Sequence, residues 1–258
     1  MTDKILLKKL NNIRNKLKKN EPSIGSWLQL GNENSAQILS KSGSFDWICI
    51  DLEHSAISLE TCENLIRSIE NSNTVPIVRL SSNDEVQIKR VLDSGALGII
   101  VPSVKNLMQV KHAHTSINYP PLGKRGVGLA RAQNWGETFE FYKDKVAKKI
   151  LLIAQIENKE GVENIDEIFE SGLIDAYFIG PYDLSSSLGS PGNFKSNKFI
   201  QALNKVKASA KKNNIPSGFH LIDPDKSQLK KLINEGYLFI AYSMDSIMLK
   251  EASKIYDK

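Results

Sequence analysis

The chain has 258 residues, of which 41% are hydrophobic and 24% charged, and a sequence of this length and composition can bury a large core. Its formal net charge is +5, but no basic stripe is interleaved with aromatic residues, which argues against a nucleic-acid partner. Two cysteines are too few for a disulfide framework and are typical of a reducing cytoplasm. No apolar run approaches the ~20 residues that span a bilayer, and the N-terminus lacks a secretory signal, so we expect a cytoplasmic protein without a membrane partner.

The first 20 residues predict an amphipathic helix. Leu6, Leu10, Ile13 and Leu17 recur at helical spacing among lysines. A basic amphipathic helix can lie on a membrane surface, but we favour the interpretation that it packs against the body of the protein. We therefore expect a helix over residues 1–20 that belongs to one domain spanning residues 1–258.

Eight short apolar runs follow along the chain. They cover residues 24–30, 45–50, 75–80, 97–102, 150–157, 175–180, 215–221 and 238–243. Most are near-continuous, as in strands that are buried on both faces of a parallel sheet, and amphipathic helical segments separate them. Eight such units predict an α/β fold of the (β/α)8 TIM barrel type. An open doubly wound sheet is the alternative, but no glycine-rich dinucleotide-binding turn follows the first run.

Polar side chains collect at the carboxyl ends of these runs. They are Gln29, Asp51, Glu53, His54, Arg79, Gln155, Glu157, Asp183, His220, Ser243 and Asp245. The active sites of (β/α)8 barrels lie at this end of the strands, so we expect these side chains to converge on one mouth. The amino ends of the runs carry no comparable collection, and this polarity indicates an enzyme.

Two of these acids, Glu157 and Asp183, lie at consecutive strand ends, about one β–α unit apart. Two carboxylates with water or substrate oxygens suit Mg²⁺ or Mn²⁺. The alternative is that each acid caps a helix or pairs with a lysine. Asp183 lies in the segment IGPYDLSSSLG, where glycine and proline fix the backbone and exposed amide groups favour a bound carboxylate.

Arg79 and His54 add further chemistry to this mouth. A buried guanidinium needs an anion, which for Arg79 is either a substrate oxygen or, alternatively, the carboxylate of Asp51 or Glu53. A histidine titrates near neutrality and can carry protons, unless His54 is merely bonded to a carboxylate in a loop. A cation, an arginine and a histidine together predict enolate chemistry on a 2-oxo acid. The competing Schiff-base route needs a lysine in the mouth, and no lysine lies within the eight runs.

Five motifs, in order along the chain, are similar to those of one enzyme family. They are WICIDLEHS, VPIVRLSSNDEVQIKRVLDSGALGIIVPSV, YPPLGKRGVG, AQIENKEGVENI and FIGPYDLSSSLG. From about residue 22 to residue 250, the chain resembles the HpcH/HpaI aldolase/citrate lyase family, in particular its metal-dependent 2-oxo acid aldolases. The resemblance implies a (β/α)8 barrel that assembles as a homo-oligomer, a hexamer or a trimer, and that acts on a small-molecule 2-oxo acid and an aldehyde.

The same resemblance implies which residues bind the cofactor and the substrate. It assigns the divalent metal, Mg²⁺, Mn²⁺ or Co²⁺, to Glu157 and Asp183. It assigns contact with the 2-oxo acid to Arg79 and the lining of the pocket to Gln155. The carboxylate of pyruvate is expected to meet backbone amides around Tyr182 and Asp183.

The resemblance also implies an acid–base role for His54, assisted by Asp93. Asp51 is the alternative residue that orients the imidazole, and a metal-bound water is the alternative to His54 as the group that takes the proton from the substrate hydroxyl. Asp93 is expected to come from a neighbouring subunit. The chain departs from its relatives at Tyr182, where they often have alanine or asparagine, in the segment HSAIS after the histidine, and in the loop RGVGLARAQNWG. These departures do not affect the residues predicted to bind the metal and pyruvate. They leave open which aldehyde is the acceptor.

The leading prediction is a carbon–carbon lyase, an aldolase that cleaves a 4-hydroxy-2-oxo acid to pyruvate and an aldehyde, or catalyses the reverse addition, through a metal-stabilised enolate. One alternative is a lyase that acts on an acyl-CoA or another 2-oxo acid, as in citrate lyase-type relatives. The other is a metal-bound barrel without turnover that serves in binding or assembly.

Overall fold

The computed structural model describes residues 2–255. Residues 1 and 256–258, which the predicted domain includes, lie outside the described residues. Each apolar run contains or overlaps one strand. The strands are β1 Ser23–Leu28, β2 Trp47–Asp51, β3 Val75–Arg79, β4 Gly98–Val101, β5 Leu151–Ile156, β6 Ala176–Ile179, β7 Gly218–Leu221 and β8 Phe239–Met244. The strand prediction is therefore confirmed within a few residues at each end.

Helices alternate with the strands. They are α1 Thr2–Lys18, α2 Glu33–Lys41, α3 Leu59–Glu70, α4 Glu85–Asp93, α5 Leu107–Ile117, α6 Phe139–Phe141, α7 Lys159–Glu163, α8 Ile165–Glu170, α9 Pro181–Ser187, α10 Asn197–Asn213, α11 Lys226–Asn234 and α12 Asp245–Ala252. Short 3₁₀ and π turns fill much of the segment 131–149 before β5. None of the described helices combines the length and the apolar character that a membrane-spanning segment requires.

The strands pair in parallel in the order β6-β5-β4-β3-β2-β1-β8-β7. The two ends of this sheet meet through a single bridge between Tyr177 and Ser217, supported by a hydrogen bond of 3.2 Å from the amide of Tyr177 to the carbonyl of Pro216. The sheet is thus a nearly closed eight-stranded barrel surrounded by helices, which confirms the predicted (β/α)8 fold.

Aromatic side chains fill the barrel. Trp47 is fully buried and stacks on Phe239 with ring centroids 4.3 Å apart. Gly25 lies against this indole, and a Cβ atom there would approach the ring to within 2.1 Å. The absence of a side chain at Gly25 therefore makes room for tryptophan in the core, since protein interiors are close-packed.

Helix α1 packs against the amino ends of the strands. Its four predicted apolar positions, Leu6, Leu10, Ile13 and Leu17, are all buried. Arg14 binds the carbonyl of Lys149 and the carboxylate of Asp175, which precede β5 and β6. The interpretation that this helix packs on the body of the protein is confirmed.

Candidate active site

The carboxyl ends of β2, β3, β5 and β6 carry the principal residues of the predicted site. Asp51 is the last residue of β2 and Arg79 the last residue of β3, and the two are paired across the sheet. Glu157 follows β5, and Asp183 lies in the first turn of α9, directly after β6. Because all strands are parallel, these residues lie at one end of the barrel.

Arg79 forms a two-point ion pair with Asp51. Its Nε and Nη2 atoms donate to the two carboxylate oxygens over 2.9 and 2.6 Å, and its Nη1 atom lies 3.1 Å from Glu53 Oε2. The guanidinium also lies over the ring of Trp27, 5.1 Å from the centroid. The salt bridge that the sequence left as an alternative is present, while 13% of the Arg79 side chain remains exposed.

The environment keeps Asp51 ionised. Burial disfavours the charged carboxylate, but hydrogen bonds from Arg79 and its positive charge outweigh burial, and the pKa of Asp51 is lowered. The backbone amides of Glu53 and His54 donate to the same carboxylate over 3.0 and 3.2 Å. Asp51 is therefore a fixed anion that holds the arginine and the start of the following loop.

His54 does not contact Asp51 through its imidazole in the described structure. The ring is largely exposed, and its Nε2 atom lies 3.8 Å from Glu53 Oε2. The carbonyl of His54 accepts a hydrogen bond of 2.9 Å from Gln29 Nε2. The described contacts thus place Glu53, which the sequence named only as a possible partner of Arg79, nearest to the imidazole.

Glu53 lies between the arginine and the second pair of acids. Burial raises the pKa of its carboxyl; the charge of Arg79 opposes this rise, and the charge of Glu157 adds to it. Its position in the segment DLEH was the only sequence signal for this residue.

Glu157 is buried and fixed by the protein on both carboxylate oxygens. Oε1 accepts a hydrogen bond of 2.7 Å from the backbone amide of Ser103, and Oε2 accepts one from the side-chain amide of Gln155. Burial raises the pKa of the Glu157 carboxyl, and the negative charge of Asp183 raises it further. The charge of Asp183 therefore acts on the Glu157 carboxyl, so both acids face the same region of the barrel mouth.

The turn before α9 makes room for this carboxylate. A Cβ atom on Gly180 would lie 2.3 Å from Glu157 Oε2, so glycine is needed for the acid to occupy its place. Asp183 lies three residues further on and is exposed. Glu157 therefore sits against the backbone of the same turn that carries Asp183.

These residues fit a hard divalent cation. Among residues 2–255, no group of three histidine, cysteine or acidic side chains is arranged to hold a metal, so the protein would supply the two carboxylates of Glu157 and Asp183. Mg²⁺ is commonly held by one or two carboxylates, with water or substrate oxygens at its other positions. The two-acid donor set matches this pattern.

Asp93, the remaining predicted catalytic residue, has different neighbours from the residues described above. It is the last residue of α4 and accepts a hydrogen bond of 2.6 Å from Arg125 Nη2. It lines a charged groove of about 550 Å³ together with Glu63, Arg90 and Arg131. No described contact joins it to His54.

One wall of the mouth joins the predicted His220 to Trp27, an aromatic residue that was not predicted to lie there. Trp27 stacks on the imidazole of His220 with centroids 4.6 Å apart, and Nε2 of His220 lies 3.2 Å from the carbonyl of Ser243. Burial lowers the pKa of His220 to about 4, so the ring is neutral at pH 7. The tryptophan near the end of the first apolar run was the available signal for this wall.

Asp245, which the sequence also predicted to lie at the mouth, has a structural role in the same region. Its carboxylate accepts hydrogen bonds from the backbone amides of Gln29, Leu30 and Ser246. It therefore ties the loop after β1 to the start of α12 through three backbone donors.

Known proteins share both the sequence and the fold of this chain. The HpcH/HpaI aldolase/citrate lyase family model matches residues 23–252. A 4-hydroxy-2-oxo-heptane-1,7-dioate aldolase of Escherichia coli is 33% identical over 246 residues, which cover 95% of this chain and 92% of the relative.

Two solved structures are similar throughout. An HpcH/HpaI aldolase/citrate lyase family protein from Burkholderia cenocepacia J2315 is 28% identical with a TM-score of 0.86, over 94% of this chain and 96% of that one. An HpcH/HpaI aldolase from Desulfitobacterium hafniense DCB-2 is 27% identical with a TM-score of 0.82, over 93% and 92% of the two chains. The extent of the family match and the identity to curated relatives establish that the chain belongs to the HpcH/HpaI aldolase/citrate lyase family.

Proposed function

We propose that the protein is a metal-dependent aldolase that cleaves a 4-hydroxy-2-oxo acid to pyruvate and an aldehyde, or catalyses the reverse addition. The relatives named as aldolases support a carbon–carbon lyase, as predicted. The observation that carries the proposal is the convergence of Glu157, Asp183 and Arg79 on one end of the barrel. None of the contacts described above favours the acyl-CoA alternative.

Glu157 and Asp183 are the residues that would hold the cation. Dependence on a divalent metal agrees with membership of this family, and we propose Mg²⁺, Mn²⁺ or Co²⁺. When bound, such a cation polarises the carbonyl of the 2-oxo acid and stabilises the negative charge that develops on its oxygen. Gln155 and the amide of Ser103 fix the carboxylate of Glu157 for this purpose.

Arg79 is proposed to hold an oxygen of the 2-oxo acid. Asp51 binds two of its nitrogen atoms and so fixes the plane of the guanidinium, and a fixed donor stabilises developing charge without having to reorganise. The carboxylate of the substrate is proposed to meet the backbone amides of Tyr182 and Asp183 at the start of α9.

His54 is proposed to take the proton from the 4-hydroxyl group of the substrate. The bond between C3 and C4 then breaks, the aldehyde leaves, and the electron pair remains on the pyruvate enolate, to which the proton held by His54 is returned at C3. Glu53, 3.8 Å from the imidazole, is proposed to stabilise its charged form. Asp93 is proposed to reach His54 only from a neighbouring subunit.

We also propose that the chain forms a homo-oligomer, a hexamer or a trimer. Support comes from the loop 122–135, which exposes Leu122, Val127, Leu129 and Trp135, because exposed apolar side chains that cluster often mark a contact with another protein. Light scattering on purified protein would give the number of subunits. The cytoplasmic location stays a prediction from the sequence.

Exchange of the methyl protons of pyruvate in D₂O tests the proposed function, because it needs the enolate but no aldehyde. The wild-type protein with Mg²⁺ or Mn²⁺ should exchange these protons, and a chelator should stop the exchange. Glu157→Gln should reduce it at least a hundredfold, whereas Glu163→Gln, an exposed change on α7, should not alter it. If the wild-type protein bound the cation but did not exchange the protons of pyruvate, it would be a metal-binding protein without turnover, and the proposal would fail.

A further inference from the structure

Tyr182, the residue before the proposed metal ligand Asp183, presents an aromatic ring at the rim of the mouth. Its side chain belongs to the first turn of α9, and the residue is 70% exposed. The ring packs edge-to-face against Phe194, with centroids 5.0 Å apart and an interplanar angle of 82°. In a perpendicular pair the two rings touch over a small area, and most of the tyrosine surface remains open to solvent.

Phe194 is itself supported from below. Its ring lies 5.4 Å from that of Phe199 in α10, and Phe199 is 3% exposed. Three aromatic rings therefore lead from the core of the protein to the rim, and Tyr182 is the outermost. We call Tyr182, Phe194 and Phe199 the rim aromatic set.

A buried hydroxyl group holds the backbone of this set in place. Oγ of Ser185 donates a hydrogen bond of 2.8 Å to the carbonyl of Tyr182 and accepts one of 2.9 Å from the amide of Gly192. Its own carbonyl accepts a further bond of 2.9 Å from Ser190. One serine thus binds both the first turn of α9 and the loop that carries Phe194. The rings of Tyr182 and Phe194 are therefore held in a fixed relative position before any substrate binds.

A ring that is already held in place loses little conformational entropy when a ligand stacks on it. Aromatic rings prefer flat, apolar partners in offset-stacked or edge-to-face arrangements. A carboxylate-bearing acceptor would instead need a nearby cation, which an aromatic ring does not supply. The hydroxyl group of Tyr182 makes no hydrogen bond among the described residues, which leaves the ring face as the feature available for recognition.

We propose that Tyr182, supported by Phe194, determines acceptor specificity and favours an aldehyde with a flat, apolar face, such as an aromatic aldehyde. This inference rests on the proposed aldolase function. With the 2-oxo acid held by Arg79 and by the backbone amides at the start of α9, the ring of Tyr182 forms the wall against which the departing or arriving aldehyde lies.

The test compares kcat/KM for the addition of pyruvate to benzaldehyde and to glycolaldehyde, an aliphatic hydroxyaldehyde. The wild-type ratio should favour benzaldehyde, and Tyr182→Ala should lower the ratio about three- to tenfold, the size of one aromatic contact. Tyr182→Phe should keep it, and Phe194→Ala should lower it less. Using the ratio cancels any loss of pyruvate binding, because such a loss affects both reactions equally.

Tyr237→Ala is the matched control. Tyr237 forms a similar pair with Phe219, at 5.2 Å and 64°, but it precedes β8 and therefore lies at the opposite end of the barrel. This variant should leave the ratio unchanged. An unchanged ratio in Tyr182→Ala, or a wild-type preference for glycolaldehyde, would overturn the inference. Wild-type protein that also fails to exchange the protons of pyruvate would instead overturn the proposed function.

Discussion

Arg79 and Asp51 depend on each other at the level of single residues. Arg79→Met should lower the free energy of unfolding by about 3–5 kcal/mol, because it leaves a buried, ionised carboxylate without its partner. Adding Asp51→Asn removes this charge and should recover most of the loss. Chemical denaturation measures both effects.

Proton exchange separates this structural role from the proposed chemical one. The double variant should remain unable to exchange the protons of pyruvate, although it folds stably. If it exchanged them at the wild-type rate, Arg79 would serve stability alone and its substrate role would be wrong.

His220 should make stability depend on pH in a defined window. Its ring faces Trp27 and the carbonyl of Ser243, with the charges of Arg79 and Asp51 nearby, and burial lowers its pKa from 6.5 to about 4. Between these two pH values His220 is protonated in the unfolded chain but stays neutral in the folded protein. The free energy of unfolding therefore falls as pH falls from 6.5 to 4.

Substitution by phenylalanine keeps the stack on Trp27 but removes the titrating group. The His220→Phe variant should therefore lose less stability than the wild type between pH 7 and pH 4, by up to about 3 kcal/mol. Denaturation at a series of pH values gives this difference. Parallel curves for the two proteins would show that His220 takes up its proton equally well in the folded state.

The sequence predicted which residues end the strands better than it predicted their partners. A run of apolar residues followed by an acid fixes the place of Asp51 at the mouth. Whether that acid binds Arg79 or the imidazole of His54 depends on side-chain directions and on a contact 28 residues away, for which the local pattern carries no signal.

At the scale of elements, the turn between β6 and α9 determines where Glu157 can lie. Gly180 has a φ of −91°, which alanine can adopt, but the added Cβ would lie 2.3 Å from Glu157 Oε2. Gly180→Ala should therefore displace the carboxylate and weaken Mn²⁺ binding at least tenfold, as measured by titration.

Gly126→Ala provides the comparison for this variant, because a Cβ there meets nothing within 4 Å. It should bind Mn²⁺ like the wild type. Equal affinity in both glycine variants would mean that Glu157 does not hold the metal, or that the turn yields without cost.

The elements were predictable to different degrees. Eight buried strands produce near-continuous apolar runs, which are visible without knowledge of their neighbours. The short turns of segment 131–149 have no such periodicity. They pack around Arg125, which is 2% exposed and lies over the rings of Tyr119 and Tyr142, and a buried arginine of this kind looks like any surface arginine in the sequence.

At the scale of the whole molecule, α1 covers the end of the barrel opposite the site. Leu10 is fully buried there, whereas Ile5 on the same helix is 39% exposed. Leu10→Ala should lower the free energy of unfolding by about 2–5 kcal/mol, because it leaves a cavity. Ile5→Ala should change it much less, and equal effects would contradict the packing of this helix.

The pairing of Glu157 with Asp183 is tested most directly by electron paramagnetic resonance of Mn²⁺. The wild-type protein should bind one ion, and added pyruvate should change the spectrum of that ion. Glu157→Gln and Asp183→Asn should each weaken binding at least a hundredfold, while Asp166→Asn, an exposed acid on α8, should not. Wild-type affinity in both site variants would contradict the account.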